Sequence, residues 1–371
     1  MNNLSRKERH LILISILLST AGLLFQNCSK KLASQSLLSA QTSVTDTTPV
    51  FPDGGPQQDP VKEEANSKTL SCSIPNVRFT SLKQTCLPKA LERMGRIGPL
   101  DNFTQFQPKY PLYSDGAGKR RWIYLPAGTQ IDSSNLDHWI YPKGTIVFKE
   151  FSMDGQAIET RMIEKILDGD GADAWRFSLF AHRKDGTDAD RLDNADLHLQ
   201  TDLLATYKAS EFSSRYNIGS TNTCTNCHGR TNDVVRGFSY LQLSQSSLLV
   251  NIDTVKAKNW LTAPPVRYDE IPGNATHQAA VGYIQSNCAT CHDGTAKVGP
   301  GDFRHLSTST SYLNEPLYAT QIARPGIINP GAAETSRLYM RLSSGSMPKI
   351  PLFNKDSANI SVIQGWINQL Q

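Results

Sequence analysis

Two short motifs limit what this chain can become. Cys224-Thr-Asn-Cys227-His228 and Cys288-Ala-Thr-Cys291-His292 each bring two thiols and an imidazole into one stretch of five residues. On a turn of helix, residues three apart face the same way, so the two thiols of each motif point together. They can form thioethers to the two vinyl groups of one porphyrin, and the histidine that follows then sits beneath the iron as its proximal ligand. With 7 cysteines and 8 histidines in 371 residues, random placement yields roughly 0.003 such motifs. The chain holds two, 64 residues apart.

The reading that follows is attachment of two covalent haem c groups, through Cys224 and Cys227 with His228, and through Cys288 and Cys291 with His292. Two other chemistries use Cys-x-x-Cys: a four-thiolate zinc site and a redox dithiol. The histidine directly after each pair favours haem. So does the N-terminus, because c-type haem is attached outside the cytoplasm. Arg6, Lys7 and Arg9 precede an apolar run, Leu11 to Phe25, that is the right length for a signal peptide and short for a membrane span. Cys28 follows directly, which predicts a lipoprotein signal over residues 1–28 with Cys28 lipidated, although Gln26-Asn27 departs from the usual small residues at that place. The expected location is the periplasm or the cell surface, anchored by lipid to a bacterial membrane, with the outer membrane the expected one.

Residues 29–70 are rich in Ser, Thr, Gln, Asp and Pro and read as a disordered tether. Cys72 and Cys86 are the remaining cysteines, and an oxidising compartment predicts a disulfide between them. Formal net charge is +4, and the signal segment carries about half of it. There is no basic block with interleaved aromatics, so nucleic acid is excluded as the expected partner.

Residues 71–215 carry short β-prone runs between turn signals: Arg121 to Leu125, Thr145 to Phe148, Ile158 to Leu167 and Trp175 to Phe180. Asp154-Gly155 and Asp185-Gly186 are hairpin signals. An antiparallel, sandwich-like domain is expected. Residues 216–371 change texture. Ser247 to Leu261 and Gln278 to Cys291 look helical. Ile360, Ile363, Ile367 and Leu370 mark one face of a last helix, with Asp356 or Ser357 as its cap. The fold class expected is α+β, a β-rich domain followed by an α-helical, cytochrome c-like haem region.

Met347, in Gly345-Ser346-Met347-Pro348, is the expected sixth ligand of the second haem, and a thioether there would raise its potential. Met340 is its rival and is expected in the core. Pro300 is a candidate partner for the His292 ring. For the first haem the candidates are His277, His305, His182, His198, Met153 and Met162, and none stands out. The acidic run Asp168 to Asp190 does not match a calcium loop and reads as solvated turns.

The chain resembles a largely uncharacterised bacterial family of exported dihaem c-type cytochromes in which a β-rich region precedes the haem region. The likeness covers roughly residues 94 to 371. It rests on Tyr110-Pro-Leu-Tyr-Ser-Asp-Gly116, Tyr124 to Gly128, Tyr141 to Ile146, Ile158 to Arg161, the two motifs, Gly237 to Leu243, Pro330-Gly331, Met347-Pro348 and Trp366-Ile367. It implies iron ligation by His228 and His292 and supports Met347; it implies no substrate. The expected function is electron transfer at a membrane surface with redox partner proteins. The alternative is a peroxidase-like dihaem enzyme with an open coordination site at the first haem.

Overall fold

The computed structural model describes residues 80–82, 103–192, 204–219, 221–229, 234–266, 268, 270–294, 301–307, 326–349 and 352–371. All of them belong to one compact unit, Pro49–Gln371. Cys28, Cys72, Cys86, His198 and Pro300 lie outside the described residues, as does the whole of the expected tether.

Six strands form one sheet: β1 (Thr104–Phe106), β2 (Gly118–Tyr124), β3 (Ile146–Met153), β4 (Gln156–Lys165), β5 (Trp175–His182) and β6 (Ala189–Arg191). Their spatial order is their chain order and every pair is antiparallel. The hydrophobic alternation predicts four of the six. Asp154 and Gly155 make the β3–β4 turn with φ of 48° and 76°. Two positive φ values in succession match the right-handed twist of the strands, which is why the turn calls for this pair.

The sheet buries both faces. On one, Phe103, Trp122, Ile146, Phe148, Met162 and Phe180 pack together. On the other, Phe106, Ile123, Val147 and Ile163 share a core with Val234, Val235, Phe238, Tyr240 and Leu243 from the second half of the chain. Phe238 is fully buried and meets Phe106 edge to face at 4.9 Å, a geometry that adds about 0.5–1.5 kcal/mol beyond area. The expectation of a sandwich-like pair of sheets is corrected here: among the described residues there is one sheet. Its second layer is helix and loop, because the segment after β6 lacks sustained period-two alternation.

The helices are α1 (Thr221–His228), α2 (Tyr240–Leu243), α3 (Ile252–Ala257), α4 (Ala275–Asn287), α5 (Arg337–Ser343) and α6 (Ser357–Gln369). The helix expected over Ser247 to Leu261 is only α3. An Asn251–Thr254 capping box starts it late, and Asn259, at φ 54°, stops it early. The helix expected from Gln278 begins at Ala275, where the Asn274 side chain accepts from His277 N at 2.9 Å. The Asp356 cap of α6 is as expected, accepting from Asn359 N at 3.3 Å. Ile363 and Ile367 are fully buried against α4 and α5.

A polar triangle joins the segment before β2 to the helices. Gln242 Oε1 accepts from Tyr110 N at 2.8 Å, Gln242 Nε2 donates to Ser286 Oγ at 2.9 Å, and Ser286 Oγ donates to Tyr110 O at 2.6 Å. All three groups are buried, so each bond answers a group that would otherwise be costly to bury. One residue past the triangle, Asn287 Oδ1 accepts from Tyr113 N at 2.8 Å. This stretch, Tyr110 to Tyr113, thus fixes the end of α4 from which the second motif emerges.

Candidate functional site

The first motif lies on α1. Cys224 is buried; Cys227 and His228 are half-buried. The helix lies over β5, where the Phe177 ring stands 5.9 Å from the His228 ring. His228 Nδ1 donates to Val234 O at 2.6 Å. A carbonyl can only accept, so Nδ1 carries the proton and the lone pair is left on Nε2. That is how a protein sets the tautomer and ring angle of a ligating histidine. Burial, with the charges of Arg236, Lys149 and Arg161, pushes the His228 pKa down to about 3 although the Val234 bond opposes this. The ring is therefore a neutral imidazole across the ordinary pH range.

The second motif closes α4. Cys288 is its C-cap and donates its N–H to Ile284 O at 2.8 Å. Cys291 N and His292 N both turn back onto Cys288 O, at 3.0 and 2.9 Å. This short turn puts the two thiols and the imidazole on one knuckle of backbone. The His292 ring packs on Phe303 at 5.1 Å, and Phe303 N donates to His292 O at 2.9 Å. Each histidine thus has a phenylalanine beside it.

None of the four motif cysteines forms a disulfide. Burial raises the pKa of Cys224, Cys227 and Cys288, the last to about 12. Among the described residues no three His, Cys, Asp or Glu side chains converge as a metal cage. The donor set is instead two thiols and one imidazole per turn, twice. That set fits a porphyrin held by thioethers at each motif.

The motifs are distant in sequence and adjacent in space. The Cys291 thiol lies near enough to push the Cys227 pKa up. One side chain touches both turns: Arg236 Nη2 donates to Cys227 O at 3.0 Å and to Thr290 O at 3.3 Å. Arg236 sits on a strap, Val234 to Phe238, that performs three tasks. Val234 O holds the His228 ring, Arg236 spans the motifs, and Phe238 O accepts from the buried Tyr141 hydroxyl. Gly237, at φ 93°, lets the strap turn beside Pro108. A cleft of about 540 Å³, counted with its open mouth, lies along the strap and is lined by Arg121, Lys149, Arg236, Gln242, Ser286 and Thr290 among others.

Met347 is half-buried in the turn after α5, with its N–H on Arg341 O at 3.1 Å. Leu338 and Leu342 of α5 share a core with Cys288 and Ala289, so this turn and the second motif are attached to the same packed unit. Met340 is 42% exposed. The expectation that it belongs to the core is corrected: Leu338 and Leu342 occupy the inward face, and Met340, two residues from each, points away. His182 and Met162 lie on the sheet face opposite to Phe177 and α1, as strand alternation requires. That removes both as ligands at the first motif. Met153 packs with Phe151 and Leu179, His277 accepts from Trp366 Nε1 at 2.9 Å, and His305 is buried near α4, its N–H on Gln285 Oε1.

Sequence reasoning missed Val234, Arg236, Phe177 and Phe303. A backbone carbonyl leaves no trace in a sequence, but an arginine eight residues past a Cys-x-x-Cys-His, inside an otherwise apolar stretch, is a signal that could have been read. No protein-family model, curated protein or solved structure matches this chain. Among the described residues no helix is long and apolar enough to cross a membrane.

Proposed function

We propose that this chain is an exported dihaem c-type cytochrome that transfers electrons at a membrane surface. The observation that carries the reading is the pair of Cys-x-x-Cys-His turns, 64 residues apart in sequence and tied together through one guanidinium. Bound haem supplies a one-electron iron couple. The chain's own residues do the rest. Cys224, Cys227, Cys288 and Cys291 hold the two groups covalently. His228, with its proton fixed on Nδ1, offers Nε2 as a ligand, and His292 offers its ring at the second site. Met347 is the sixth ligand at that second site. The cytochrome c-like helical region is residues 216–371, its core built on α4, α5 and α6.

Lipidation at Cys28 anchors the protein in the periplasm or at the cell surface, where the tether lets it reach redox partner proteins. A disulfide between Cys72 and Cys86 belongs to the same picture. The resemblance to exported dihaem cytochromes supports the reading through its motif order. Membership in that family is part of the proposal.

The test is a pyridine haemochrome count on protein matured in a host that attaches haem c, followed by a redox titration. Two haems per chain and two reversible one-electron steps are expected. Protein that matures without haem sinks the reading. Peroxide turnover by protein with one high-spin iron would replace it with the peroxidase-like enzyme.

A further inference from the structure

Just before β2 the chain makes a tight turn, Ser114 to Ala117, closed by Ala117 N donating to Ser114 O at 2.9 Å. Asp115 and Gly116 in it have φ of 52° and 75°. Glycine takes such angles freely; a residue with a side chain seldom does, although aspartate tolerates them better than most. Asp115 is also only 6% exposed. A buried carboxylate on a left-handed backbone is unfavourable on both counts, and its contacts must answer for it.

Those contacts are distant in sequence. One oxygen, Asp115 Oδ1, accepts from two successive backbone donors, Phe353 N at 2.8 Å and Asn354 N at 2.9 Å. Hydrogen bonds to an ionised acceptor are the stronger kind. They cross 238 and 239 residues and fasten the connection between α5 and α6 to the entry of β2. Met347 stands in that connection, six residues before Phe353. On the helix side the connection is held by Met347 N on Arg341 O at 3.1 Å and by Lys355 Nζ on Ser343 O at 2.5 Å. Two residues before Asp115, Tyr113 N donates to Asn287 Oδ1 at 2.8 Å, and Asn287 directly precedes Cys288. Three consecutive residues, Tyr113 to Asp115, thus hold both the segment that carries His292 and the segment that carries Met347.

We propose that Asp115 is a positioning residue for the sixth ligand of the second haem. It ties the Met347 connection to the stretch that also seats the end of α4, so the two ligand-bearing segments share one reference. A ligand on a freely moving connection must be ordered each time it binds; one already held in place need not be. The purpose rests on the haem reading above; the tie itself rests on two hydrogen bonds.

The experiment uses the full mature chain. Asp115→Gly keeps the left-handed backbone and removes the acceptor; Asp115→Asn keeps both. Imidazole is the probe, because it competes with Met347 for the iron and bleaches the weak Met-to-iron band. Asp115→Gly is expected to bleach at about tenfold lower imidazole or less, with Asp115→Asn close to wild type and two haems in all three. Bleaching of all three at one concentration overturns the proposal. Asn354→Pro removes one donor at an exposed residue and makes the same test should Asp115→Gly not mature. Amide hydrogen exchange tests the tie apart from haem: Phe353 and Asn354 should exchange slowly in the wild type and about tenfold faster in Asp115→Gly. Haem-free protein with that contrast removes the haem reading and leaves the tie standing. Two haems without the contrast removes the tie and leaves the haem reading standing.

Discussion

Gly282, on α4, faces Tyr110 so closely that a Cβ built there would lie 2.1 Å from the Tyr110 ring. Carbon atoms pack best at 3.5–4.0 Å, so Gly282→Ala must find about 1.4 Å of space. Neither partner can yield easily. Tyr110 is 5% exposed, and its backbone N–H and carbonyl are both committed to the Gln242–Ser286 triangle. The helix cannot retreat without parting His277 from Trp366 on α6. Alanine in place of glycine favours the helix by about 1 kcal/mol, while overpacking a well-filled core costs about 1–3 kcal/mol, and more where nothing can move. A net loss of about 2 kcal/mol is expected. Gly365 on α6 supplies the control, because a Cβ there meets nothing within 4 Å. Gly365→Ala is expected to stabilise by about 0.5–1 kcal/mol. Urea unfolding of both variants measures the contrast. Equal stabilisation by the two substitutions would refute the claim that α4 is seated against Tyr110 by a missing side chain.

Three further outcomes are expected. Burial, with Arg120 adding to it and Asp188 opposing it, pushes the buried His182 down to about 4. The folded protein therefore declines a proton that the unfolded chain accepts below about pH 6.5. Stability should fall by about 3 kcal/mol as pH drops from 7 through 4. His182→Gln, able to keep the Thr160 contact, should flatten that limb of the pH–stability curve; an unchanged limb would place the acid sensitivity elsewhere. Trp366→Phe leaves the buried His277 Nδ1 without its indole donor and should cost about 1–3 kcal/mol in chemical denaturation; a neutral result would mean that the bond contributes nothing net. Met347→Ala should abolish the weak Met-to-iron band of the oxidised protein and lower one midpoint potential, and persistence of the band would transfer the sixth-ligand role to another side chain.

What could be read in advance was what local rules control. Asp154-Gly155 forces its hairpin through two positive φ values, and the strands on either side follow from alternation. The apolar spacing of α6 and its Asp356 cap were equally plain. The motifs announced their thiols and histidines by spacing alone. What stayed hidden depends on register and on distant partners. Arg121, Lys149 and Arg161 are 28 and 12 residues apart in sequence and become neighbours only through strand pairing. Arg236 stands out in its apolar stretch, but its partners Cys227 O and Thr290 O, 9 and 54 residues away, are set only by the fold. Met340 shows the opposite failure: an apolar residue in an apolar helix pattern was assigned inward, but a seven-residue helix has a narrow inner face and two leucines fill it.

The sheet's order has a consequence for the chain as it is made. Every strand pairs with the one before it, so all its closures are short and the meander can assemble as soon as β6 has emerged. Part of the layer that covers its inner face, Val234 to Val255 with Leu261, comes later in the chain and does not yet exist at that moment. For that interval the nascent sheet presents Phe106, Ile123, Val147 and Ile163 to its surroundings, the kind of surface on which incomplete chains clump. Arg121, Lys149 and Arg161, which the register places side by side on this face, put charge among those apolar residues, and charge within an apolar strand surface is what keeps sheets from sticking to one another.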